Sequence, residues 1–385
     1  MTIPVTNTHV HFPPNFSAYE TVDEAVQAAV SQNVAAMGIS NFYDQSVYRA
    51  FTEAAKGAGI VPLYGLEFIT LDPALEAQGI RVNDPANPGR MYLCGKGISP
   101  FKEKTVEAAH IAESIRTGND ARSAAQVQQL AAWFTECGID NELSVESIAQ
   151  AVAQRAGVPV EWVSLQERHI ARACEESLSH LREEDKRVAL AKLYGQPSTV
   201  DVNDPVALQG EIRSRLLKAG TPGFAPEVPL SFEQAYAYIV AMDGIPVYPT
   251  LADGVSPVCE FEADPDQLAR ELLKRGIYAA ELIPIRNHVA VVDEYVKAFT
   301  DAGLIVMAGT EHNTVDKIAL DPACVDGPTS DYAKQAFWEA SCVIAAHQAL
   351  VQQGKPGFVD EGGNRTDVGK EDLIAYGEAL IEGEE

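Results

Sequence analysis

Three short stretches carry side chains able to do chemistry. The first is Thr8-His9-Val10-His11. In an extended segment residues two apart face the same side, so both imidazoles can reach one cation. The second is Tyr64-Gly65-Leu66-Glu67, where an acid directly follows an apolar run. A carboxylate placed there is costly to bury unless it is paired or binds a cation. The third is Met307-Ala308-Gly309-Thr310-Glu311-His312, in which Gly309 allows a tight exit from a strand and an acid and an imidazole follow at once. Each has a plainer alternative: polar rim for the histidines, a salt bridge for Glu67, a helix start for Glu311. Together they offer His9, His11, Glu67 and Glu311 as ligands of a divalent ion (Zn, Mn or Fe), at least one per chain. His312 would then be a general acid or base beside the metal, or a further ligand.

Other residues stand close to this set in the pattern. Lys96, in Cys94-Gly95-Lys96-Gly97, is expected at a strand end, where it would serve catalysis, hold an anionic substrate group or pair with Glu67. Glu281 is placed to support a ligating histidine. His288 reads as a cap or surface residue, and His110, His180 and His347 as structural residues of helices.

The elements that must position these groups alternate. Strand-like runs fall at residues 5–9, 35–40, 60–66, 90–94, 245–248, 279–283 and 304–308, with helical patterns at 21–32, 46–57, 264–275 and 289–302. The first helix opens with a capping box, Thr21 to Glu24. Strand–helix alternation predicts parallel strands with crossover helices. Polar residues gather at the C-terminal ends of many strands, which favours a barrel rim over the single crevice of an open sheet. Residues 101–230 break the rhythm with helical patterns at 104–116, 124–137, 145–155, 162–183 and 204–219. They read as a helical insertion, a lid or cap, on a barrel formed by residues 1–100 and 231–385.

The chain's 385 residues are 46% hydrophobic, enough for a large core, and 29 Lys+Arg against 55 Asp+Glu give a formal charge of -26. Such a surface disfavours nucleic acid polymers and membranes as partners. A small anionic metabolite stays compatible, because a bound metal inverts the local field. There is no signal-peptide pattern and no apolar run long enough to span a bilayer. The six cysteines are scattered without a CxxC pair, as in the reduced thiols of a cytoplasmic protein.

The chain resembles the PHP (polymerase and histidinol phosphatase) superfamily over residues 5–100 and about 235–320. The HxH strand is matched by His9 and His11, and Gly-x-Glu by Gly65-Leu66-Glu67. The final Gly-Ser-Asp-x-His is matched by Gly309-Thr310-Glu311-His312, with a longer acid and the histidine one place nearer. Where the family has Thr-Asp-His and Ala-His-Pro, this chain has Ser40-Asn41-Phe42 and Val247-Tyr248-Pro249, and the histidine expected near Tyr92 is absent. Within the insertion, Gln166-Glu167-Arg168-His169-Ile170-Ala171 resembles a helix start of the family's amidohydrolase-like branch, whose Arg and His face the substrate's phosphate.

The resemblance implies a distorted (β/α)7 barrel and a metal-dependent, phosphoesterase-like hydrolase. It implies that the retained ligands serve one metal of the family's cluster, with Arg168 or His169 holding the substrate's anionic end. A lyase or isomerase on the same metal, or a barrel that binds without catalysing, are the alternatives.

Overall fold

The computed structural model describes residues 3–383. Its sheet contains β1 (Val5–Val10), β2 (Val34–Phe42), β3 (Val61–Leu71), β4 (Arg90–Lys96), β5 (Leu230–Ser231), β6 (Ile245–Thr250), β7 (Ala279–Leu282) and β8 (Ile305–Ala308). The strand order is β1-β2-β3-β4-β6-β7-β8, with the two-residue β5 pairing the far end of β3. The sequence pattern leaves out β5, which is too short to show a period.

The sheet curls into a barrel. No ladder joins β8 to β1; instead the loop after β8 closes the gap. Glu311 N donates to His9 O at 2.8 Å, and His11 N donates to Glu311 O at 2.8 Å. Gly309 makes the approach possible, since a Cβ there would stand 2.1 Å from the His9 Cβ. The loop turns away through Glu311 and His312, both with left-handed backbone (φ +63° and +55°), a conformation that favours glycine and is held here by the barrel seam.

One expectation fails in an instructive way: β4 is antiparallel to both β3 and β6. The connection from β3 contains only the short helix Pro73–Ala77, and its two ends meet, Asp72 N donating to Gly89 O at 2.8 Å. That makes a broad hairpin rather than a crossover. The C-terminal end of β4 therefore lies at the floor of the barrel, not at the rim.

Helices cover the outside. The N-cap at Thr21 forms, with Glu24 N donating to its hydroxyl at 3.1 Å, but the Glu24 carboxylate takes the Glu20 N–H instead of that of Thr21. The long helix Asp331–Gln352 packs across the N-terminal ends of the strands. There the Ser341 hydroxyl donates to Thr6 Oγ1 at 2.8 Å, and Gln348 bridges Tyr64 N and Pro62 O. No helix among the described residues is long and apolar enough to cross a membrane.

Residues 101–230 are helical, with Val106–Glu136 as one continuous helix where the pattern suggests two. Gly118 in its middle does not break it, because the neighbouring Asn119 amide is anchored to Ser164 Oγ and Leu165 O at 2.9 Å. The pattern at 162–183 resolves into Glu167–Ser177 and a separate helix Glu183–Tyr194. These helices share an apolar cluster of their own, including Leu130, Phe134, Ile170, Leu190 and Leu208.

Candidate metal centre

His9 lies on β1 and His11 directly past its end, two residues on, and the rings are 0% and 1% exposed. β3 brings Glu67 opposite them. Its Oε2 lies 3.5 Å from His11 Nε2 and 3.9 Å from His9 Nε2. One ligand atom from each of the three residues falls within 4.8 Å of the others. Three ring nitrogens, His9 Nε2 and both of His11, are buried without a hydrogen-bond partner. Each such orphan costs about 1–3 kcal/mol, and two of them, His9 Nε2 and His11 Nε2, face one carboxylate, an arrangement that suits a shared cation.

The charge balance points the same way. Three carboxylates, the buried Glu67 and Glu281 and the half-buried Glu311, surround the histidines. Glu281 has Lys96, at 2.9 Å, and Glu311 has Arg286, at 2.6 Å. Among the described residues Glu67 has no Lys or Arg within 4 Å, only the two imidazoles. Burial, followed by the nearby Glu311, pushes its carboxyl well above the usual range. A divalent cation would reverse that and take the lone pairs of His9 Nε2 and His11 Nε2, the two nitrogens that face Glu67. His9, His11 and Glu67 are thus a donor set that fits Zn, Mn or Fe(II).

A carboxylate beneath the histidines fixes their orientation. Glu281 Oε2 lies 2.6 Å from His9 Nδ1, and its other oxygen accepts from Thr8 Oγ1 at 2.6 Å. Although burial raises the Glu281 pKa, Lys96 and then His9 outweigh it and hold it at about 2. The anionic partner keeps the His9 proton on Nδ1 and leaves Nε2 a free lone pair. His9, Cys94 and Glu281 form a second close group, but burial, then the charge of Glu67, pushes the Cys94 thiol well up. That disfavours the thiolate a metal would need.

The structure places the other residues singled out by sequence differently. Lys96, expected at the rim, rises from the floor through space left by Gly65, and its ammonium meets Thr8 O and Ser40 Oγ at 2.7 Å and Glu281 Oε1 at 2.9 Å. All three of its hydrogens have acceptors and the residue is 2% exposed, so it buttresses Glu281 and has no donor for a substrate.

His312 faces away from the histidine pair. Its Nδ1 accepts from Thr310 Oγ1 at 2.8 Å, its Nε2 donates to Ile318 O at 3.1 Å, and its ring stacks on Tyr19. The left-handed turn at Glu311–His312 sends the two side chains apart, which removes His312 from proton transfer at the centre.

Glu311 does lie beside the centre, but outside the close group. Its two oxygens are taken by Arg286, at 2.8 and 2.6 Å, and it accepts from Asn313 as well. Against the effect of burial, Arg286 holds its carboxyl well below the usual range.

His169 is buried and caps its own helix, its Nδ1 accepting from Gln166 N at 3.1 Å. Burial, then Arg155 and Arg172, lowers its pKa to about 3. Arg168 turns to the rim and donates to Asn313 Oδ1 at 3.3 Å. Burial and the neighbouring Arg213 bring its pKa down to about 10.

The positions where histidines are absent are filled by aromatic rings, with Phe42 stacked on His11 at 5.2 Å and Tyr92 packed behind Phe42. Sequence reasoning passed over Arg286 and Asn313. The signal was available for Arg286, which follows the end of β7 by only a few residues.

The chain matches no protein-family model and no curated protein. Its fold is similar to that of a Bifidobacterium adolescentis protein assigned provisionally as a metal-dependent phosphoesterase. The identity is 14% and the TM-score 0.59, over 87% of this chain and 96% of that one. It is similar also to an amidohydrolase from Chromobacterium violaceum, whose structure holds sulfate and no metal. There the identity is 17% and the TM-score 0.54, over 83% of this chain and 93% of that one. At these identities the likeness establishes a shared barrel fold.

Proposed function

We propose that this chain is a metal-dependent hydrolase of a small anionic metabolite, built on the PHP plan but reduced to one metal. The observation that carries this reading is the convergence of two buried, unpartnered imidazole nitrogens, His9 Nε2 and His11 Nε2, on Glu67. The barrel shared with a phosphoesterase-like and an amidohydrolase structure supports it.

A divalent ion at His9, His11 and Glu67 supplies Lewis acidity and a nucleophilic water at neutral pH. The protein does the rest. Glu281 fixes the His9 tautomer, and Lys96 keeps Glu281 charged. Phe42 and Tyr92 wall the site on the side where further ligands would stand. Arg168 and Arg286 bring positive charge to the mouth, where a small anion would be drawn despite the acidic surface.

The helical insertion acts as the cap. Its helix Glu167–Ser177 docks on the rim, Gln166 Oε1 accepting from Phe16 N at 2.6 Å and the His169 ring packing against Phe16. Substrate would enter between this helix and the loops after β1 and β8, facing His9, His11 and Glu67, which would hold the metal.

Elemental analysis of protein purified without chelator or added metal tests the reading. About one equivalent of Zn, Mn or Fe per chain is expected for a three-residue centre, with loss on His11→Ala. Two or three equivalents would overturn the single-metal assignment. No metal, even after reconstitution, would overturn the hydrolase reading and leave a barrel that binds without catalysing. Hydrolysis is then sought among phosphomonoesters and amides of small acids.

A further inference from the structure

The Arg286–Glu311 pair lies beside Glu67 of the candidate metal centre. Both guanidinium arms meet both carboxylate oxygens, at 2.8 and 2.6 Å, in the two-pronged geometry with which arginine holds a free carboxylate. The Arg286 side chain is about one-third exposed, at 35%, so its outer face is open to solvent, whereas Glu311 is 14% exposed. Asn313 bonds Glu311 on one side and accepts from Arg168 on the other, so a second guanidinium backs the same junction. The Glu311 backbone is pinned in the barrel seam by its bonds to β1, which leaves only its side chain to move.

We propose that Arg286 is the receptor for a carboxylate group of the substrate and that Glu311 is its placeholder, exchanged for that group when substrate binds. This rests on the metal-centre reading above only in locating the reacting bond. The carboxylate is an anchor, distinct from the bond cleaved at His9, His11 and Glu67. A carboxylate suits the receptor better than a phosphate dianion. One planar fork satisfies it, and the other guanidinium at the junction, Arg168, is already engaged with Asn313.

The exchange is read with small anions as probes, in protein as purified and after metal stripping. Line broadening of carbon-13 acetate and of inorganic phosphate gives their affinities. Glu311→Gln removes the competing carboxylate and should tighten acetate binding at least about tenfold, with phosphate no tighter than acetate. The double variant Glu311→Gln/Arg286→Gln should lose the gain, and Glu311→Gln/Arg286→Lys should recover only part of it, since the charge stays and the fork is lost. Thermal melts confirm that each variant is folded.

No tightening in a folded Glu311→Gln, or a gain that survives loss of Arg286, would make the pair structural and overturn the proposal. A tenfold preference for phosphate would overturn the carboxylate assignment. Because the exchange is measured without metal, tightening of acetate in a protein that binds no metal would sink the hydrolase reading alone.

Discussion

Glu281 and His9 form the shortest polar contact to either histidine of the centre, 2.6 Å from carboxylate oxygen to Nδ1, with both residues 0% exposed. The contact decides which nitrogen faces Glu67. Replacing Glu281 with Gln should lower zinc affinity about 10- to 100-fold, the usual cost of losing such an outer partner. A competition titration with a chromophoric chelator measures it, and an unchanged affinity would mean that His9 is oriented by packing alone.

Lys96 belongs to this support and not to the substrate. Lys96→Met would leave the buried Glu281 carboxylate without its cation, which should cost about 3–5 kcal/mol of stability, read by urea unfolding. Should the variant unfold like the parent and only bind anions more weakly, Lys96 would have to be returned to the rim.

Metal should stabilise the fold, because the orphaned Nε2 atoms of His9 and His11 would acquire a partner. At zinc a hundredfold above its dissociation constant the gain is about 2.7 kcal/mol. The melting temperature should rise on adding zinc to stripped protein, fall again with chelator, and not respond in His11→Ala.

Acid should weaken the protein at a histidine outside the centre. His347 is buried, with Nε2 donating to Asp243 O at 2.6 Å and Nδ1 accepting from Phe358 N at 3.0 Å. Only the neutral ring suits both contacts. Burial is the main cause that lowers its pKa from 6.5 to about 4. The unfolded chain therefore binds this proton first, so the contribution is complete above about pH 6.5 and is lost as pH falls toward 4, to the extent of roughly 3 kcal/mol. His347→Gln should flatten that part of the stability–pH curve; a slope equal to that of the parent would remove His347 as its source.

Gly309 should not accept a side chain. An alanine Cβ would stand 2.1 Å from the His9 Cβ and 2.9 Å from its Cα, so Gly309→Ala must open the seam between β8 and β1. Reduced zinc binding together with a lower melting temperature is expected. Full zinc affinity in the variant would show that the seam does not position His9.

Most of the strand skeleton was legible because most strands are built on a short run of apolar or β-branched residues, and such runs need no distant partner to be recognised. HxH on β1 and Glu67 on β3 were legible for a similar reason. Strand periodicity says which side chains share a face, and a strand end says that they reach a rim. The direction of β4 was not, because an antiparallel return depends on where Asp72 and Gly89 meet, a contact between residues far apart in the chain.

From that one reversal follows the fate of Lys96, placed by sequence at the mouth and by the fold beneath Glu281. The separate fates of Glu311 and His312 were equally hidden. Two adjacent residues with left-handed backbone point apart, and what they meet, Arg286 for one and Ile318 for the other, is set by the barrel seam. The sequence by itself determined which groups with chemical capacity lie at strand ends and the net charge that surrounds them. Only the tertiary structure decided which of them share one cavity and which are consumed as one another's partners, because hydrogen-bond and ion-pair assignments are made through space between segments that no local pattern connects.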